Sequence, residues 1–156
     1  MRLIMGLGNP GEKYKNNRHN IGYRVADDLK ENFKLKDTIV KKTNVYMNES
    51  GKAVKKFTSA YHLVPSALYV IHDDLDIPLG SYKVQLGKGP KDHKGLNSIY
   101  NELGTGNFWH VRIGVDNRDP NDRIEGEEYV LQDFNSEEKK ILDKVILQIC
   151  KKLATS

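Results

Sequence analysis

The sequence predicts a three-layer α/β fold in which helices flank a mixed, mostly parallel sheet. Three observations carry that expectation. Apolar runs of strand length stand at residues 2–7, 67–72 and 111–115. Segments with apolar residues at helical spacing alternate with them. The 156 residues contain no repeat, low-complexity stretch or linker, which fits one domain spanning 1–156 with a core of its own.

Taken in order, RLIMGL at 2–7 is an apolar run leading into glycine-rich sequence, as expected of a buried strand feeding a loop. Ile21, Val25, Leu29 and Phe33 recur every four residues with Ala26 beside them, so residues 20–32 form a helix with one apolar face. Residues 46–62 repeat this more weakly through Val54, Phe57 and Tyr61, with Ser50 or Asn48 expected to cap the first turn. Pro65 stops that helix, and ALYVIH at 67–72 is a second buried strand. Residues 81–86 alternate as an edge strand, 96–103 form a short helix and 111–115 another strand. Ser136 starts the last helix, with Glu137 and Glu138 at its positive end and Ile141, Leu142, Val145, Ile149 and Leu153 on one side. In such a sheet, chemistry collects beyond the carboxyl ends of strands, here in the loops after Leu7, His72 and Val84.

Composition narrows the class. With 38% hydrophobic and 29% charged residues, neither a disordered tail nor a membrane protein fits. No apolar stretch reaches membrane length and residues 1–7 lack the apolar core of a secretory signal, so a cytoplasmic location is expected. The single cysteine, Cys150, excludes an internal disulfide and a cysteine-rich metal site and reads as core filler. A net charge of +4 permits a polyanionic partner without requiring one.

Two loops hold the residues of interest. Gly6, Gly8 and Gly11 in GLGNPG match the dinucleotide pattern G-x-G-x-x-G, but Pro10 interrupts the loop and no helix opens directly after it. A tight turn explains the glycines and leaves Asn9 unexplained. His19, in RHN at 18–20, has possible partners in HDDLD at 72–76, because a carboxylate that holds an imidazole in one tautomer makes it a general base. HDDLD also admits a divalent metal site, or a plain turn in which Asp73 and Asp76 precede Pro78 and Gly80. No HExxH, GxSxG or paired CxxC is present, which leaves water as the nucleophile for any hydrolysis.

GLGNPG at 6–11, RHNIG at 18–22, YMNESGKAV at 46–54, HDDLDIPLG at 72–80, RIGV at 112–115 and EYVLQDF at 128–134 occur in one order and spacing. In this the chain resembles the bacterial-type peptidyl-tRNA hydrolase family over nearly its whole length. The resemblance implies a metal-independent esterase, with no cofactor, that cuts the bond between a peptide and the 3′ ribose of tRNA and so recycles tRNA from aborted translation. It implies His19 as general base, Asp73 as acceptor of its other ring N–H, and Asn9 beside them. Asn48 would hold the peptide and its ester, Tyr14 and Met47 would line the cleft, and Lys83 and Arg112 would clamp the 5′ phosphate and acceptor stem. A monomer is expected.

Three departures from that pattern stand out. In GKGPKDHKG at 87–95, Lys94 replaces an asparagine of the substrate site, and its charge would disfavour protonated His19. Gln85 stands where the family has a second basic residue. The segment between the first helix and YMNESG is short and reads as lacking a strand or hairpin, and the chain stops soon after its last helix begins. Two other readings stay open: a tRNA-binding or structured-RNA-binding module with little hydrolysis, and a carboxylate-metal phosphoesterase built on HDDLD.

Overall fold

A computed structural model describes residues 1–156. The chain runs β1 (Arg2–Gly6), two 3-10 turns at Glu12–Tyr14 and Arg18–Asn20, α1 (Ile21–Asn32) and β2 (Thr38–Lys42). A 3-10 turn at Met47–Glu49 then leads into α2 (Ser50–Ala60), followed by β3 (Leu68–Pro78) and β4 (Tyr82–Leu86). The chain closes with α3 (Lys94–Leu103), β5 (Trp109–Asp116), α4 (Gly126–Tyr129) and α5 (Ser136–Thr155). The strands form one sheet in the order β2-β1-β3-β5-β4, parallel throughout except for the β4·β5 pair. This is the mixed, mostly parallel sheet that the alternation of apolar runs predicts.

Side chains alternate across each strand, so the sheet has two apolar faces. On one, Ile4, Ile71, Val111 and Ile113 meet Ile21, Val25 and Leu29 of α1 and Leu142, Val145 and Ile149 of α5. On the other, Leu3, Met5, Leu68 and Val70 meet Val54 of α2 and Leu96 and Ile99 of α3. Cys150 lies in the first core, where burial pushes its thiol up to about 12, and it is the filler its isolation suggests.

Two glycines set how α1 meets the sheet. A Cβ at Gly22 would lie 2.4 Å from the Ile71 carbonyl oxygen and 2.6 Å from that of Leu7, and a Cβ at Gly6 would lie 2.4 Å from the Gly22 oxygen. The start of the helix therefore rests directly on the end of β1 and the middle of β3, and the RHN turn just before it comes beside Asp73 in the same strand.

Four expectations need correction. The short segment before residue 46 does contain a strand: β2 pairs with β1 in parallel, Val40 opposite Ile4, although only Ile39 and Val40 of TIVKK are apolar. HDDLD is not a loop beyond a strand, because β3 continues to Pro78 and keeps His72, Asp73 and Asp74 in register with Arg112, Ile113 and Gly114 of β5. Neither Ser50 nor Asn48 caps α2. The preceding 3-10 turn runs straight into that helix, and the Ser50 hydroxyl donates to the Met47 carbonyl at 2.6 Å. The last helix is long, at 20 residues, and Asn135 with Glu138 forms a reciprocal capping box at its start.

Candidate active site

His19 lies on the 3-10 turn that precedes α1, and its backbone N–H donates to the Val130 carbonyl at 2.8 Å. Asp73 lies in β3 and is 1% exposed. The 3-10 turn and the strand bring the two side chains together, with His19 Nδ1 2.8 Å from Asp73 Oδ2. The other carboxylate oxygen, Oδ1, lies 2.8 Å from Nε2 of His93, a residue that sequence reasoning passed over.

The hydrogen-bond partners fix both tautomers. His93 is the N-cap of α3, and its Nδ1 accepts the Leu96 N–H at 3.2 Å, so its proton sits on Nε2 and is donated to Asp73. Asp73 also accepts the Nδ1 proton of His19, which leaves His19 Nε2 as a lone pair with no partner in the chain. Burial works against the Asp73 carboxylate, but the two imidazoles outweigh it and hold the group well below the usual carboxylate range. Burial likewise lowers the proton affinity of His19, and Asp73's charge and hydrogen bond more than reverse that, so its pKa is raised above 6.5. Lys94 pulls the other way, in the direction its charge implies.

Asn9 is pinned by Asn20, whose Oδ1 accepts the Asn9 N–H and whose Nδ2 donates to the Asn9 carbonyl, both at 2.8 Å. Its own Oδ1 accepts the Met47 N–H at 2.7 Å, which leaves its NH2 as the free donor. Met47 is buried against Gly95, Asn48 is exposed on the same 3-10 turn, and Tyr14 is half-buried with its ring edge-on to Tyr46 at 6.4 Å. Lys94 is exposed and lies 2.9 Å from Glu127 of α4.

The basic pair expected to clamp phosphate divides. Lys83 is exposed on β4. Arg112 is 5% exposed, with Nε on Asp74 Oδ2 at 2.7 Å and Nη1 on Gln85 Oε1 at 2.8 Å. The expected free cation is instead half of a buried ion pair, and Gln85 is its second partner; unpairing it would cost about 3–5 kcal/mol.

The metal reading of HDDLD is also corrected. Asp74 serves Arg112 and the Asp76 N–H, while Asp76 accepts the Lys91 N–H, so the three carboxylates do not converge. His19, Asp73 and His93 have ligand atoms within 4.8 Å of one another. Both facing nitrogens carry protons donated to Asp73, though, and a metal on His93 Nε2 would force its Nδ1 proton against the Leu96 N–H. These three residues fit a hydrogen-bonded relay better than a metal centre.

Beneath the relay lie two more buried histidines. His72 donates from Nδ1 to the Asp73 carbonyl and its Nε2 has no partner, while His110 donates to Phe108 and accepts the Tyr100 hydroxyl at 2.8 Å. Burial holds His72 well below its ordinary value and lowers His110 to about 4. Both are neutral when folded and would take protons when unfolded, so the stability they contribute is present above about 6.5 and is lost as pH falls through the folded value. For His110 the interval is worth up to about 3 kcal/mol. Urea unfolding measured across this range should show stability declining with acid, and His110→Gln, which keeps an acceptor for Tyr100, should flatten the decline. An equally steep decline in that variant would assign it elsewhere.

The family model described as Peptidyl-tRNA hydrolase matches residues 3–156. The chain belongs to the peptidyl-tRNA hydrolase family. It is 39% identical to the Peptidyl-tRNA hydrolase of Sulfurihydrogenibium sp., over 94% of this chain and 85% of that one. With that of Thermodesulfovibrio yellowstonii it is also 39% identical, over 93% and 87%. A crystal structure of peptidyl-tRNA hydrolase from Acinetobacter baumannii superposes with a TM-score of 0.84 at 29% identity, covering 98% of this chain and 86% of that one.

Within this peptidyl-tRNA hydrolase, Lys94 offers a test of the site's electrostatics. Removing a cation that lowers His19's proton affinity should raise the imidazole's pKa, so Lys94→Asn is expected to move the acid limb of the pH profile of kcat/KM to higher pH, by less than about one unit. An unmoved limb would mean that pairing with Glu127 already cancels the charge at His19.

Proposed function

We propose that His19 is the general base of peptidyl-tRNA hydrolysis in this chain. The observation that carries the reading is the 2.8 Å bond from His19 Nδ1 to the buried Asp73, which leaves Nε2 free to take a proton. Water, as it attacks the ester carbonyl between peptide and 3′ ribose, gives its proton to Nε2, and Asp73 stabilises the imidazolium that forms. The tetrahedral intermediate collapses with the proton passing from His19 to the ribose oxygen, releasing a free tRNA 3′ end and a peptide carboxylic acid that ionises by losing its proton to solvent. The free NH2 of Asn9 offers a neutral donor to the ester or its oxyanion, and Asn48 and Met47 lie on the 3-10 turn whose Met47 N–H Asn9 accepts, with Tyr14 on the turn that follows Asn9.

Recognition of the acceptor stem falls to exposed cations such as Lys83 and Lys94, which contact phosphate without reading bases, so binding weakens as salt rises. No helix is long and apolar enough to cross a membrane. We infer a monomer that works in the cytoplasm on the acceptor stem and 3′ end of peptidyl-tRNA. A binding module without hydrolysis has no use for an imidazole whose tautomer is set by a buried carboxylate.

A discharge assay comparing N-acetyl-aminoacyl-tRNA with free aminoacyl-tRNA tests the function. Rapid release from the first, little from the second and no effect of chelator are expected. Equal release from both would remove the peptidyl specificity, and loss of rate with chelator, restored by a divalent ion, would replace the base mechanism with a metal one.

A further inference from the structure

The residue just before the base is a buried arginine. Arg18 is 6% exposed, its guanidinium carbon lies 3.9 Å from the centre of the Tyr129 ring, and its Nη2 donates to both carboxylate oxygens of Glu138 at 2.9 and 3.1 Å. Glu138 is held in turn by the Asn135 N–H at 2.9 Å and the Asn117 amide at 3.2 Å. Tyr129 is anchored at its hydroxyl, which accepts the Asn117 N–H and donates to the Val115 carbonyl at the end of β5. The backbone follows the same line, with Arg18 N–H on Gln132, His19 N–H on Val130 and the Phe134 N–H on Asn16.

We propose that Glu138 is a positioning residue for His19, acting through the Arg18 guanidinium that it grips at the start of α5. The proposal rests on the reading of His19 as the base. Asp73 belongs to β3, which pairs with β5, while His19 sits on a turn outside the sheet. The alignment of Nδ1 on Asp73 therefore depends on the Gly22 seat on one side of that turn and, on the other, on its tie to the end of β5 and to α5, which Arg18 makes with Asn17 bonded to Asp133 at 2.6 Å beside it. Arg18 Nε is buried without a partner.

The charged and titratable groups facing His19 are Asp73 from β3, His93 and Lys94 at the start of α3, and Arg18 on its own turn. Glu138→Gln is the first variant, because glutamine still accepts the Asn135 N–H and keeps the helix start. On N-acetyl-aminoacyl-tRNA, kcat should fall roughly ten- to hundredfold with KM within about twofold. The His19 ring, followed by NMR in the free protein, should titrate at lower pH as its bond to Asp73 loosens.

The pair Arg18→Met with Glu138→Met separates placement from folding and from stray charge, since apolar residues of similar volume often replace a buried ion pair without loss of stability. A double variant that melts like the wild type but keeps the lowered kcat and the lowered His19 titration supports the proposal. Wild-type kcat and titration in the double variant overturn it, as do wild-type values in a folded Glu138→Gln; if Glu138→Gln does not fold, the double variant decides. Full activity in His19→Ala would remove the base reading, whereas the NMR titration still reports on placement.

Discussion

Asp73→Asn is expected to lower turnover roughly 10³- to 10⁴-fold, a loss of the size seen when a triad carboxylate is made an amide. The reason lies in how many protons the side chain can accept. Asp73 takes one N–H from His19 and one from His93, and an asparagine amide offers one acceptor and one donor in place of two acceptors. His93 cannot change its role, because its other nitrogen is committed to the Leu96 N–H. The amide oxygen therefore turns to His93 and the NH2 to His19, which must move its own proton to Nε2 and so ceases to be a base. Adding His93→Ser, which still caps α3, frees the amide to turn round, and the double variant should recover part of the lost rate. Single-turnover discharge of N-acetyl-aminoacyl-tRNA measures both, and a loss under tenfold in Asp73→Asn would sink the tautomer argument.

His19→Ala should reduce kcat by a hundredfold or more, the usual share of a general base, with KM little changed. The pH profile adds a second reading. In the wild type, activity should rise with pH as the imidazole loses its proton, at a pH raised above the ordinary histidine value by Asp73. In His19→Ala that limb should vanish and leave a low, flatter rate. The fold should survive, since the backbone N–H still reaches Val130, at a cost of about 1–3 kcal/mol for leaving one Asp73 oxygen without its donor. A surviving limb at the same pH would assign it to another group.

Much of this architecture is legible in residue spacing. The apolar period through Ile21, Val25 and Leu29 places α1, and the alternation around Val84 marks the edge strand, because both depend on nearest neighbours along the chain. Residues whose role is decided by distant partners are harder to read. Arg112 looks like any surface cation until β3 brings Asp74 beside it, and TIVKK is too polar to announce a strand until β1 offers it an edge. His19 and Asp73 are recognisable because their motifs are distinctive. His93 stands in the very segment read for Lys94 and needs the Leu96 cap to reveal its tautomer. Arg18 and Glu138 lie 120 positions apart, and only the folded chain pairs them.

The close seat of Gly22 against Leu7 and Ile71 has a bearing on how the enzyme tolerates change. No side chain cushions that contact, so a single methyl there would act as a wedge under the turn that carries the imidazole. Proton transfer is sensitive to displacements of about an ångström, and the backbone atoms that a Cβ would meet cannot swing aside to prevent one. Substitution at that position would therefore lower stability and rate together, with the loss of rate arising a few residues from any atom that touches the ester.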